Sequence, residues 1–261
     1  MRIEAKDIVY SYDAGKALDG VSAKFESGLM TGIIGPNGSG KSTLLRILGG
    51  VLKPSRGSVS YDGIDIAGMS AMARARVVGA VLQDQAVQFP FTVREVVEMG
   101  RFPYKGLLGK GGPEDAAAVS RAMGLAGVMP FSDRPLSSLS SGEKQRAFIA
   151  RALAQEPRVL LLDEPTSHLD ISYQLDIMEI LKRLSAGGTT VVIVMHDLNL
   201  AGLYCDRLLA LKGGAVASEG LPDDVLTADN ILEVYGVRAV VKNNPETSRP
   251  GIVMLTPSSK S

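Results

Sequence analysis

Cysteine is nearly missing from this 261-residue sequence: Cys205 stands alone. A single thiol excludes an internal disulfide framework and fits a reducing compartment. An excess of one charge is missing too. Lys+Arg and Asp+Glu both number 28, so no basic bulk points to nucleic acid, and there is no acidic tail. Long apolar runs are absent. The most apolar stretches, VLLL at 159–162 and VVIVM at 191–195, fall far short of the ~20 residues that span a bilayer. The opening residues MRIEAKDIVYSYD carry charges throughout and lack the apolar centre of a signal peptide. No internal repeat is visible. These absences predict a soluble, cytosolic protein that reaches a membrane only if other chains carry it there.

What is present is 45% hydrophobic residues, enough for one large domain or a core with a subdomain. Residues 3–10 alternate in strand fashion, and LMTGII at 29–34 leads through a glycine-rich turn into a helix, STLLRILGG. SVSYDGIDI at 58–66 and RLLALKGGAVAS at 207–218 read as hairpins turning at Asp62-Gly63 and Gly213-Gly214. VVGAVL, RVLLLDEP and TTVVIVMHD read as buried strands, the last two ending in polar residues. From about 90 to 140 the pattern changes to short helical segments such as TVREVVEM and EDAAAVSRAM. The predicted fold is α/β: a mostly parallel sheet covered on both faces, an antiparallel β flank and a helical insertion. The expected organisation is a main domain over 1–242, with the helical insertion at about 88–155, and a loosely held polar tail over 243–261.

Gly35 to Ser42, GPNGSGKS, matches G-x-x-x-x-G-K-[ST] between a strand and a helix. The loop of Gly35, Pro36, Asn37, Gly38, Ser39 and Gly40 would curl so that its N–H groups, Pro36 having none, point at phosphate oxygens, aided by the helix dipole. Lys41 would neutralise the β- and γ-phosphates, Ser42 would offer its hydroxyl to Mg²⁺, and Thr43 would help hold the α-phosphate. The pattern is specific for a nucleoside triphosphate such as ATP and silent on its use. Asp163 and Glu164 end a buried strand, where ligands sit in open parallel sheets. Asp163 is a candidate for Mg²⁺, and Glu164 for the general base that activates water. His196 and Gln83 also end strand-like runs. His196 is a candidate for γ-phosphate, Gln83 for the metal or the water, and Asp170 for positioning the site loop or bridging to a partner. His168 reads as structural. Ser140 and Glu143 have capping-box spacing, but Gly142 inside that helix start is unexplained by capping, since glycine costs about 1 kcal/mol there.

Together GPNGSGKST, VLQDQ, LSSGEKQR, VLLLDEPTSHLD and VMHD, in this order, resemble the ATP-binding cassette (ABC) ATPases over about residues 1–240. Ser141 replaces the glycine usual in that signature. The resemblance implies that Tyr12 stacks on adenine. It also implies that Ser140 and Gly142 face a γ-phosphate held by a second copy, with two ATPs between head-to-tail subunits. VREVVEMGRFPYKG, PTSHLDISYQLDIMEIL and MHDLNLAGLYCDRLLALKGGAVASEG further resemble importers of ferric siderophores, haem and cobalamin. In that reading residues 84–106 touch a membrane permease, through Phe89, Phe91, Arg101, Phe102 and Tyr104, and a substrate-binding protein is an indirect partner. The chain would then lie on the cytoplasmic face of the cell membrane. A soluble ABC ATPase of an assembly machine and an exporter motor stay open as alternatives.

Overall fold

The computed structural model describes residues 1–13, 15–82, 90–105 and 111–255. In chain order the elements begin with β1 (Ile3–Tyr12), β2 (Gly15–Phe25), β3 (Met30–Ile34), α1 (Lys41–Leu48), β4 (Arg56–Tyr61), β5 (Ile64–Asp65), α2 (Ala71–Ala75) and β6 (Val78–Val81). Helices follow: α3 (Val93–Glu98), α4 (Pro113–Leu125) and α5 (Ser141–Leu153). Then come β7 (Val159–Asp163), α6 (Ile171–Ala186), β8 (Thr190–Val194), α7 (Leu198–Tyr204), β9 (Arg207–Lys212) and β10 (Ala215–Gly220). The chain ends with α8 (Pro222–Val225), α9 (Ala228–Tyr235), β11 (Ala239–Asn243) and β12 (Pro250–Met254). Among the described residues no helix is long and apolar enough to cross a membrane.

The six-stranded sheet has the order β10-β9-β3-β8-β7-β6, with β9 through β6 parallel and β10 antiparallel at its edge. A four-stranded antiparallel sheet, β2-β1-β4-β5, forms the flank. Both predicted hairpins form where expected. Asp62 and Gly63 take φ of 46° and 84°, Gly213 and Gly214 55° and 83°, matching the two positive-φ positions of the tight turn that suits strand twist.

Side-chain alternation on the central strands builds two cores. Met30 and Ile34 of β3, Leu160 and Leu162 of β7, and Val191 and Ile193 of β8 face α3 through α7. Their neighbours Ile33, Leu161 and Val192 face α1 and the antiparallel flank. Burial on both faces explains why these strands read as continuous apolar runs.

Residues 243–255 are a correction to the expected loose tail, whose last residues, 256–261, lie outside the described residues. β11 and β12 pair in register from Ala239↔Met254 to Asn243↔Pro250. The Asn244 side chain accepts from the Glu246 and Thr247 amides at 2.9 and 3.3 Å and so closes the polar turn. Ile252 sits in the core. The polar turn residues dominate the composition of this stretch, while the strands on either side carry the packing.

Candidate active site

Parallel strands bring their C-terminal ends to one edge. Ile33 and Asp163 both pair with Val194, so the exits of β3, β8 and β7 lie side by side. Gly35, Glu164 and His196 therefore emerge together although distant in sequence. Gly40 precedes α1 with φ of 99°. A Cβ there would stand 2.5 Å from the Ala17 carbonyl oxygen, so this turn onto the helix requires glycine. Lys41 is buried, and its ammonium donates to the Gly35 and Pro36 carbonyls at 2.9 and 3.0 Å. Burial lowers the Lys41 pKa, while the charges of Glu164 and Asp163 pull it back up.

Ser42 donates its hydroxyl to Asp163 Oδ1 at 2.9 Å. Asp163 is 2% exposed, and its Oδ2 is buried with no hydrogen-bond partner among the described residues. Burial pushes the Asp163 carboxyl upward, against the Ser42 hydrogen bond. An orphaned carboxylate oxygen beside a serine hydroxyl fits a hard divalent cation such as Mg²⁺. No group of three or more His, Cys, Asp or Glu that could hold a metal occurs among the described residues.

Glu164 has φ of 51°, a left-handed conformation, directly after β7. Both of its oxygens are held: Ser167 donates to Oε2 at 3.1 Å, and the His196 ring bonds Oε1. Glu164, His196 and the phosphate loop line one cavity of about 620 Å³ together with Tyr12, Gly15, Lys16 and Ala17. Tyr12 is edge-on to Tyr10 with ring centroids 4.9 Å apart, and its hydroxyl is 3.4 Å from Thr43 Oγ1.

The structure brings Tyr12, the phosphate loop, Asp163, Glu164 and His196 together. It does not bring Ser140, Gly142 or Asp170 to this cavity. Ser140 caps α5, accepting from the Glu143 amide at 3.3 Å while its own amide donates to the Glu143 carboxylate at 2.8 Å. Asp170 is exposed at the start of α6 and makes no side-chain cap. Gln83 lies outside the described residues. The residue reading missed Gly15, Lys16, Ala17 and Ser167. Only Ser167 left a signal, lying three residues after Glu164 in PTSHLD.

Gly142 has a nearer cause than a partner's nucleotide. A Cβ on it would lie 2.6 Å from the Tyr173 ring of the same chain. The expected aromatic docking cluster divides: Arg101 and Phe91 turn inward, while Phe102 and Tyr104 stay exposed. Arg101 is 5% exposed, paired to Asp115 at 2.7 Å and Glu156 at 2.9 Å, and donates to the Ala154 carbonyl at 2.8 Å. Tyr104 lies over Arg101 at 3.9 Å, and its hydroxyl donates to the Gln155 carbonyl at 2.7 Å. Phe91 packs against the core, and Phe89 lies outside the described residues. Phe102 is 62% exposed. A groove of about 360 Å³ is lined by residues that include Val51, Ala71, Arg74, Met99, Gly100 and Arg151.

A family profile described as "ABC transporter" matches residues 18–167. The cobalamin import ATP-binding protein BtuD of Halobacterium salinarum is 44% identical over 243 residues, covering 93% of this chain and 60% of that protein. This chain thus spans about 60% of the length of the halobacterial relatives it matches. The ferric enterobactin transport ATP-binding protein FepC of Escherichia coli is 38% identical over 255 residues, covering 97% of this chain and 94% of its own length. Among solved structures, the ATP-binding cassette MJ0796 in a dimeric post-hydrolysis state, bound to ADP and Pi, superposes with a TM-score of 0.75. It is 34% identical and covers 84% of this chain and 98% of its own.

Proposed function

The chain belongs to the ABC transporter family, and we propose that it is the ATP-hydrolysing motor of an importer for iron-siderophore, haem or cobalamin. The observation that carries the reading is the convergence of Lys41, the Ser42–Asp163 pair and the Glu164–His196 pair on one sheet edge. The relatives named for cobalamin and ferric enterobactin import support the cargo class.

ATP would enter with its base against Tyr12 and its phosphates in the curled loop, where Lys41 exchanges carbonyl partners for phosphate oxygens. Ser42 and Asp163 would hold Mg²⁺, with Gln83 as a further ligand, and the ion would neutralise charge on the β- and γ-oxygens. Glu164 takes the proton of the attacking water as its oxygen bonds to γ-phosphorus and the bridge to the β-phosphate breaks, giving ADP and phosphate. His196 fixes the Glu164 carboxylate and would meet the γ-phosphate.

The site is completed in trans. The α5 N-terminus offers the Ser140 hydroxyl and the free amides of a helix start, an anion site that its own cavity does not use. Facing a second copy, Ser140 and Gly142 would meet that copy's γ-phosphate in a head-to-tail dimer. The dimeric MJ0796 cassette supports pairing. The groove lined by the exposed Val51 and by Ala71 and Met99, with the exposed Phe102 three residues along the chain from Met99, is the proposed seat of a membrane permease on the cytoplasmic face. Through the permease the motor would serve a substrate-binding protein. Within the cassette, assigned to 1–242, the helices inserted over about 88–155 would carry both the α5 surface and half of that groove.

Phosphate release by the purified chain with ATP and Mg²⁺ tests the activity. Co-purification with a polytopic membrane protein, weakened by Phe102→Asp, tests the transport role. A cassette held stably in a soluble complex would contradict it.

A further inference from the structure

We propose that the C-terminal hairpin β11–β12 positions His196, with Asn199 as the positioning residue. The idea rests on the reading of His196 as part of the ATP site and concerns what holds it there.

His196 lies in the turn between β8 and α7, and its ring reaches Glu164 with its side chain 43% exposed. Its aim is therefore set by where α7 sits. Asp197 ties that turn to the helix by accepting from the Asn199 and Leu200 amides at 2.8 and 3.0 Å. α7 has only seven residues, too few to hold itself without packing, and β12 is the element it packs on most heavily.

The contact is specific at two points. The Asn199 side chain receives the Ile252 N–H at 2.7 Å and donates to the Ile252 carbonyl at 3.3 Å. One amide thus pairs with both groups of a strand edge, as a neighbouring strand would. One turn further along α7, Gly202 lets the hairpin close in, because a Cβ there would meet the Pro250 carbonyl oxygen at 2.8 Å. Ile252 itself is in the core with Leu198, Leu200 and Ala201. The hairpin therefore fixes both the height and the rotation of the helix that begins beside His196.

The chain has two histidines, so their ring Cε1–H signals can be followed by NMR and told apart with His168→Gln. In Asn199→Ala and in Gly202→Ala, the His196 signal is expected to move while that of His168 stays. Because misplacing a group by 1 Å can cost about 100-fold, kcat should fall about tenfold or more, with KM for ATP within about twofold. Asn199→Asp keeps the acceptor for the Ile252 N–H and recovers part of the rate. Gly202→Ala leaves every side-chain donor in place and answers the question should Asn199→Ala lose its fold. An unmoved His196 signal with unchanged kcat in a folded variant overturns the proposal, as does equal movement of both histidine signals. Absence of ATPase in the unsubstituted protein would instead sink the functional reading and leave the NMR result standing.

Discussion

The Tyr173 ring occupies the space that a side chain on Gly142 would need, with Cγ 2.6 Å from where a Cβ would stand. Glycine to alanine inside a helix ordinarily gains up to about 1 kcal/mol. Here the sign should reverse. Gly142→Ala is expected to destabilise the fold by about 1–3 kcal/mol through overpacking, and Tyr173→Ala should relieve it. A double-mutant cycle of denaturant midpoints checks the coupling.

Asp163 carries a stability cost in the ligand-free protein. Its carboxyl is pushed up by burial, so the folded chain holds that proton more tightly than the unfolded one. Its contribution to stability is therefore fully present below the unfolded value of about 4 and is lost as pH rises through the folded value. At neutral pH the buried charge is a net loss. Asp163→Asn should raise the ligand-free Tm and flatten the stability slope above about pH 4. It should also remove the Mg²⁺-dependent hydrolysis. Thermal melts across pH, with ATPase assays alongside, test both halves.

Glu164 has each oxygen assigned, one to Ser167 and one to His196. Glu164→Gln should lower kcat by about 10²–10⁴-fold, the usual worth of a general base, while ATP affinity stays within a few-fold. Ser167→Ala removes only an orienting contact and should cost about tenfold. Single-turnover phosphate release measures the difference, and equal losses in the two variants would contradict the division of roles.

Arg101 joins Asp115 on α4, Glu156 beyond α5 and the Ala154 carbonyl. Removing it strands an acceptor set built around one planar guanidinium. Arg101→Met should cost about 1–3 kcal/mol, in the range of hydrogen bonds to charged groups, and Arg101→Lys should recover little of it. Urea midpoints of the three proteins check this.

The readable parts of the molecule were those written locally. Alternation built the strands, paired positive-φ residues built the hairpin turns, and GPNGSGKS sits between strand and helix as its pattern requires. Parallel strand order then placed Asp163, Glu164 and His196 at one edge. What stayed hidden depends on distant partners. Arg101 is buried because Glu156, 55 residues on, meets it. Asn199 holds Ile252 across 53 residues, so neither stretch alone reveals the hairpin's seat. Gly142 could be seen to need explaining, but Tyr173 lies on another helix and left no local mark.

Sedimentation of Glu164→Gln with ATP tests the composite site most directly. The account predicts a dimer that forms with ATP, falls apart with ADP, and is lost when Ser140→Arg is added to the same protein. A dimer indifferent to Ser140→Arg, or a monomer at every ATP and protein concentration, would contradict it.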